Sequence, residues 1–245
     1  MGLLDKAVDI SELGQRKLVV LYGKSNSGKT VTGATFPKPM LYLRIGDDGS
    51  NSISEEEGIK ALHVENIEDL KKLLQELITK KGAGYESIFL DTFSMVTNVW
   101  IQENAVQKKK KMTQQMWGDI KTESEELVRM AHQLAGTCWV ILSCHESTDA
   151  FEGMEEEILP DIRPSVSKGT RTYLEGLANY GLHCTRVNRT ITTEAGDVDV
   201  VKYAAHVGPN PYYWTKLQIP KNRKVPKLMI NPSYDKLMKV VKGGE

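Results

Sequence analysis

Gly23-Lys24-Ser25-Asn26-Ser27-Gly28-Lys29-Thr30 follows the apolar run Leu18-Val19-Val20-Leu21-Tyr22, and residues compatible with a helix begin at Val31. The stretch fits G-x-x-x-x-G-K-[ST] in the context that gives this pattern meaning: after a strand, in a glycine-bounded loop, before a helix. The chemistry explains the residue types. A triphosphate carries several negative charges that donors must wrap without obstruction. Gly23 and Gly28 permit the turn and the close backbone approach that a Cβ would block. The N–H groups from Gly23 through Val31 form an anion-binding nest that runs into the start of the helix. Lys29 would place its ammonium on the β- and γ-phosphates, and Thr30 its hydroxyl on Mg²⁺. The stretch therefore predicts binding of a nucleoside triphosphate, with ATP and Mg²⁺ as the expected ligands.

Composition sets few further limits. A chain of 245 residues suits one large domain, and its apolar and charged fractions are ordinary for a globular protein. Lys plus Arg and Asp plus Glu both number 32, so any nucleic-acid site must be a local patch rather than a property of the whole chain. Three cysteines, Cys138, Cys144 and Cys184, form no C-x-x-C pair and read as reduced core residues. No run of about 18 apolar residues is present to span a bilayer. The start Met-Gly lacks the Ser or Thr of a myristoylation motif because Lys6 stands there, so the expected location is the cytoplasm, with no membrane partner.

Read in order, residues 1–17 are an N-terminal arm before the first strand. A short helix follows the glycine-bounded loop and stops at Pro37 and Pro39. Met40 to Arg44 reads as a second strand, with a turn-rich acidic loop, Gly46-Asp47-Asp48-Gly49, behind it. Ile67, Leu70, Leu73, Leu74, Leu77 and Ile78 recur at helical spacing. Ser87 to Asp91 and Trp139 to Ser143 are short apolar runs suited to buried parallel strands. Two helical stretches, 93–108 and 115–135, lie between them. Residues 146–169 lack periodicity and read as a long loop. A helix near 169–178, a strand near 180–187, a hairpin turning at Ala195-Gly196-Asp197, and a basic tail with a final helix near Tyr234–Val241 complete the chain. The expected fold is α/β: an 18–187 core with a mainly parallel sheet flanked by helices, then a C-terminal hairpin and basic tail over 188–245.

Four further residues are candidates for chemistry. Asp91 ends an apolar strand downstream of the phosphate loop, where a carboxylate can hold Mg²⁺ or orient the Thr30 ligand; the alternative is an N-cap for the helix beyond it. His145 follows the strand ILSC and should reach the same carboxyl edge, where it could sense a γ-phosphate. Asp47 and Asp48 are candidates for orienting the attacking water, with turn residues beside Gly46 and Gly49 as the equal alternative.

These parts, in this order, resemble the RecA-like P-loop ATPase core. The closer resemblance is to phage-encoded RecA-like nucleotide-binding proteins, some of which act as single-strand annealing recombinases. The residues that carry it are GKSNSGKT, IFLD, ILSCH, ILPDIRPSVSKGT and NPYYWTKLQIPK, over roughly 15–235. The family activates water with a glutamate after the second strand; this chain has Arg44-Ile45-Gly46-Asp47 there and no glutamate before Glu55, which implies slow hydrolysis.

The resemblance also implies single-stranded DNA as a partner, held by two loops. One is the Lys108–Trp117 region, where Lys108, Lys109, Lys110 and Lys111 precede Trp117 and join phosphate neutralisation to a stacking surface. A solvated cationic helix end is the alternative. The other is 146–169 with its flank, where Glu152 and Glu155 to Glu157 repel phosphate and leave Arg163, Lys168 and Arg171 as contacts. Lys216, Lys221, Arg223 and Lys224 are candidates to reach a neighbouring subunit's γ-phosphate in a ring or filament, against a basic surface tail. Tyr212, Tyr213 and Trp214 read as core or interface residues. A single-strand DNA-binding protein is a further implied partner.

The leading expectation is an ATPase that binds single-stranded DNA and promotes annealing or recombination. The other is a nucleotide-gated switch or loader with little turnover. A P-loop small-molecule kinase would need an arginine-bearing lid that the sequence does not show, and an AAA-type remodeller a C-terminal helical domain for which the tail leaves no room.

Overall fold

The computed structural model describes residues 7, 9, 15–46, 49–152, 158–193 and 196–243. Most of the 1–17 arm, Asp47, Asp48, Glu155 to Glu157 and Ala195 lie outside these residues. Strands β1 (Leu18–Tyr22), β2 (Met40–Ile45), β3 (Ile59–Val64), β4 (Ser87–Asp91), β5 (Trp139–Cys144), β8 (Tyr180–Thr193), β9 (Gly196–His206), β10 (Lys216–Leu217) and β11 (Leu228–Ile230) form one sheet. Its order is β11-β9-β8-β1-β5-β4-β2-β3, with β10 paired to β8. The pairs from β8 through β1, β5, β4, β2 and β3 are parallel, and those made by β9, β10 and β11 are antiparallel. The expected mainly parallel α/β sheet with a terminal hairpin is the one observed.

Alternation along the strands explains the two cores. Leu18, Val20 and Tyr22 of β1 point to one face, where they meet Leu70 and Leu74 of α2 (Ile67–Thr79) and Leu127, Val128 and Ala131 of α4 (Gln114–Leu134). Val19 and Leu21 point to the other, with Phe36, Phe89, Ile141 and Leu237 of α6 (Tyr234–Lys242). Because both faces are covered, β1, β4 and β5 are apolar almost throughout and wholly buried. The long helices start on side-chain caps: Asn66 accepts from the Asp69 N–H, Thr113 from Met116 and Ser233 from Lys236.

Helix α1 (Lys29–Ala34) lies flat on the sheet through Gly33. A Cβ there would meet the Phe89 ring, which is fully buried and has nowhere to go. Gly33→Ala gains about 1 kcal/mol of helix propensity but overpacks this contact at about 1–3 kcal/mol. The expected net result is a loss of up to about 2 kcal/mol and a melting temperature lower by up to roughly 8 °C in a chain of this size. An unchanged or raised melting temperature would show that the interface has slack.

Four details differ from expectation. Residues 146–169 are mostly not loop: β6 (Glu146–Glu152) and β7 (Ile158–Pro164) pair antiparallel as a separate two-stranded sheet, and α5 (Lys168–Leu177) follows. The edge strand β3 lies in a stretch to which the sequence assigned no element, because it buries little beyond Val64. The helical stretch 93–108 is a 3₁₀ turn (Phe93–Met95), then α3 (Val96–Ile101), then a wider π turn (Gln102–Val106). The hairpin is longer than expected. Beyond its pairing with β1, β8 runs on against β9 from His183 to Thr193, and this return brings β9 back over the phosphate loop.

Candidate active site

The parallel strands deliver their carboxyl ends to one edge of the sheet. Register places Tyr22 beside Cys144 on one side and His183 on the other, and Asp91 beside Arg44. The phosphate loop leaves β1 at that edge. Gly23 (φ 151°), Asn26 (φ 59°) and Gly28 (φ 87°) take positive φ, so the loop curls without a side chain inside the curve at either glycine.

Lys29 exposes only 7 % of its surface. Its ammonium turns back into the loop and donates to the Gly23 and Lys24 carbonyls at 3.0 and 2.8 Å. Burial lowers its pKa from the ordinary lysine value, while the Asp91 and Glu146 carboxylates oppose that shift. An ammonium held by two neutral carbonyls is under-compensated, which suits it to an incoming polyanion.

Asp91 is buried among four hydroxyls. Oδ2 accepts from Thr30 Oγ1 at 2.8 Å and from the Tyr42 hydroxyl at 2.9 Å; Oδ1 accepts from Thr92 Oγ1 at 3.0 Å and closely from Ser143 Oγ. The sequence put Thr30 and Asp91 together at a metal, and the structure brings their side chains into direct contact. Tyr42 and Ser143 had been read only as strand residues. Gly49 closes the corner from the loop after β2: a Cβ there would meet Thr30 Oγ1 at 2.7 Å and Asp91 Oδ2 at 3.2 Å. An oxygen pair kept clear by glycine fits a hard divalent cation, with Thr30 and Asp91 as the residues that would hold Mg²⁺ directly or through water. Bound there, the ion would neutralise developing charge on the phosphates.

A cavity of about 340 Å³ joins these parts. The loop residues Ser25 to Val31 line it, together with Asp91, Thr92 and His145. The backbone N–H of His145 donates to Ser94 Oγ at 2.9 Å, which ties the end of β5 to the turn after Asp91. Sequence reasoning missed Asn51 and Ser52, from the 3₁₀ turn Ser50–Ile53, and Tyr203. Tyr203 comes from β9 and lies so close over Gly28 that a Cβ on that glycine would meet ring Cγ at 2.6 Å. Only the length of the hairpin brings it there, so no local pattern could have announced it. Asp47 and Asp48 lie outside the described residues.

Of the proposed DNA residues, Lys108 to Lys111 are exposed in the turn before α4, and Trp117, 51 % exposed, lies in the first turn of that helix. Arg163 and Arg171 are differently placed. Arg163 pairs with Asp161 and Glu175, and Arg171 donates to the Pro164 carbonyl and Ser147 Oγ, so both brace the β6–β7 hairpin. Lys168 is exposed at the start of α5. In the tail, Lys216 donates to the Glu175 and Gly176 carbonyls at the end of α5, each at 2.8 Å. Arg223 packs against Gly243, while Lys221 and Lys224 are exposed. Tyr213 stacks on His183 and Trp214 packs against Gly181, both half-buried, while Tyr212 is exposed and does not join the core.

Cys138, Cys144 and Cys184 are buried and unpaired with one another; burial pushes the thiols up, to about 11 for Cys138 and about 12 for the other two, so none offers a thiolate. Among the described residues no helix is long and apolar enough to cross a membrane.

No curated protein matches the chain. The family that does match bears a name the sequence reading had set aside only in its remodelling form, and the match speaks to the ATPase-type domain, not to a remodelling task. Residues 15–216 fit the model of a family described as an AAA domain, and the chain belongs to that family, which makes it a P-loop ATPase-type, nucleotide-binding domain.

Proposed function

We propose that the protein hydrolyses ATP with Mg²⁺ and couples that turnover to single-stranded DNA, as an annealing or recombination protein that assembles with copies of itself. The observation that carries the ATPase half is the convergence of Lys29, Thr30 and Asp91 around one cavity beside the phosphate loop. Lys29 would exchange two carbonyl partners for phosphate oxygens, Thr30 and Asp91 would fix the metal corner, and His145 would meet the outer phosphate from the end of β5.

The DNA half is supported by the exposed turn Lys108–Lys111 beside Trp117. This turn is joined to the site by a short path: Asp91 and Thr92 lead into the 3₁₀ turn, α3 and the π turn, and then the lysines. A ligand that reorders the Asp91 corner would therefore pull on the segment carrying the basic turn. Exposed Lys221 and Lys224 are the tail residues best placed to reach a neighbouring copy, since Lys216 and Arg223 are engaged within the chain.

The test is ATPase rate with and without single-stranded DNA at two salt concentrations. Stimulation by DNA is expected, with DNA affinity falling on a log–log salt slope near −3 if about four single-strand phosphates are neutralised. Replacing Lys108 to Lys111 with alanine should flatten that slope and remove the stimulation while leaving the basal rate. Trp117→Ala should weaken DNA binding by about 1–3 kcal/mol. A rate indifferent to DNA, with no salt-sensitive binding, would sink the DNA half. Tight ATP binding without turnover would favour the nucleotide-gated switch.

A further inference from the structure

Hydrolysis needs a group that orients the attacking water. The loop after β2 has no glutamate before Glu55. The structure offers a glutamate from another direction. Strand β5 ends at Cys144, and Glu146 opens β6 two residues later. Its carboxylate lies 2.8 Å from His183 Nε2, and both side chains are nearly buried, at 11 and 5 % exposure.

His183 is held rigidly. Its ring stacks on Tyr213 with centroids 4.1 Å apart and planes 10° from parallel, and Tyr213 stacks in turn on His206 at 4.5 Å and 21°. A histidine clamped between strand and stack fixes the direction of the carboxylate it touches. Sub-ångström placement of this kind is what proton transfer requires.

The pair lines a second cavity, of about 510 Å³, together with Lys24, Ser25 and Ser27 of the phosphate loop. Ser25 and Ser27 also line the nucleotide cavity, so the two cavities adjoin across the loop. Two buried polar atoms around the second cavity, Ser27 Oγ and His183 Nδ1, have no hydrogen-bond partner among the described residues. Buried orphans of this kind call for water or ligand. Glu146 is also among the groups that oppose the lowering of the Lys29 pKa by burial.

We propose that Glu146 orients and deprotonates the water that attacks the γ-phosphate, with His183 as its positioning residue. This rests on the reading of the phosphate loop as a hydrolytic ATP site. The water oxygen forms a bond to the γ-phosphorus as the bond from that phosphorus to the β–γ bridging oxygen breaks. The bridging oxygen leaves with the electron pair as part of ADP. The proton lost by the water passes to the Glu146 carboxylate and from there to bulk solvent, leaving inorganic phosphate.

The test compares phosphate release and Mg·ATP-induced thermal shift in the full chain and in Glu146→Gln. Glutamine is isosteric and keeps a hydrogen bond to His183, so folding and the thermal shift should be retained while kcat falls about 100-fold. Phosphate release within about threefold of wild type would overturn the role of Glu146. A wild-type chain that shifts with Mg·ATP and releases no phosphate overturns the hydrolytic reading and this proposal together. His183→Gln separates positioning from mere support: the expected result is a kcat loss of about tenfold with KM and the thermal shift unchanged. Loss of the thermal shift in both variants would assign the pair to nucleotide binding, a lowered ligand-free melting temperature with the rate retained would assign it to holding the fold, and either result rejects the catalytic role. Should Glu146→Gln not fold, Glu146→Asp keeps the charge and moves it back by one methylene; a lowered kcat at unchanged KM supports the proposal, and an unchanged kcat rejects it.

Discussion

Lys29→Ala is expected to abolish the rise in melting temperature that saturating Mg·ATP gives the wild-type chain. A ligand at 100 times its Kd stabilises the folded state by about 2.7 kcal/mol, which in a chain of this size is roughly 5–11 °C. Without the ammonium the β- and γ-phosphates would lose the buried cation of the loop, and the shift should shrink to within about 1 °C of zero, since hydrogen bonds to charged groups contribute about 1.5–3 kcal/mol each. The ligand-free variant should not melt earlier. In the wild type that ammonium is nearly buried, burial lowers its pKa, and its partners are two carbonyls of the loop. Removing it relieves desolvation and frees those carbonyls to bind water. The two readings therefore have opposite signatures: a binding residue loses the shift and keeps the baseline, whereas a residue that holds the loop together lowers the baseline and keeps part of the shift. Differential scanning fluorimetry with and without Mg·ATP distinguishes them, and a wild-type shift in Lys29→Ala would remove the basis for the nucleotide site.

What the sequence disclosed follows from the range of each interaction. The phosphate loop, β1, β4 and β5 are local events: an apolar run, buried on both faces, and glycines where the backbone must curl. Those were legible. Strand β3 was not, because an edge strand with one contact row and four exposed residues leaves no periodic trace. The β6–β7 hairpin was hidden by its charges and by Pro160 and Pro164, residues that read as loop and are tolerated here because two strands alone form the sheet. The convergence on Asp91 was half legible. Thr30 and Asp91 could be paired from their motifs, but Tyr42 and Ser143 join them only through register, and register between parallel strands separated by helices is not written in either strand. The same holds for Tyr203, which reaches the phosphate loop by way of a hairpin whose length had to be seen, and Glu146 went unmarked because the stretch it opens reads as loop. The basic residues divide in the opposite sense. The family resemblance suggested DNA contact for Arg163 and Arg171 and a neighbouring subunit's γ-phosphate for Lys216, and the acceptors around them, not their sign, set what each does in the fold.

Asp91→Asn is expected to lower turnover by about two to three orders of magnitude, the scale of losing several kcal/mol of metal-linked charge stabilisation. It should also reduce stability, and the reason lies in donor arithmetic. The carboxylate accepts from Thr30, Tyr42, Thr92 and Ser143, with two donors at each oxygen. An asparagine keeps one acceptor oxygen and turns the other corner into a donor, so two hydroxyls face an N–H whichever way the amide is flipped. A hydroxyl can rotate and accept, which limits the damage to about 1–3 kcal/mol, or roughly 2–12 °C in melting temperature. Ser143→Ala supplies the control: it removes one donor and leaves three, so the carboxylate stays satisfied and charged, and turnover should remain within a few-fold of wild type. A hub that serves only the fold would give the same loss of turnover in both variants once each is assayed well below its own melting temperature. A metal-holding carboxylate would give a loss confined to Asp91→Asn, together with a higher Mg²⁺ concentration for half-maximal rate. Thr30→Ser should stay within a few-fold of wild type, like Ser143→Ala, since it keeps the hydroxyl that contacts Asp91 Oδ2 and loses only a methyl group. That ranking, read at several Mg²⁺ concentrations, separates the electrostatic role of this corner from its structural one.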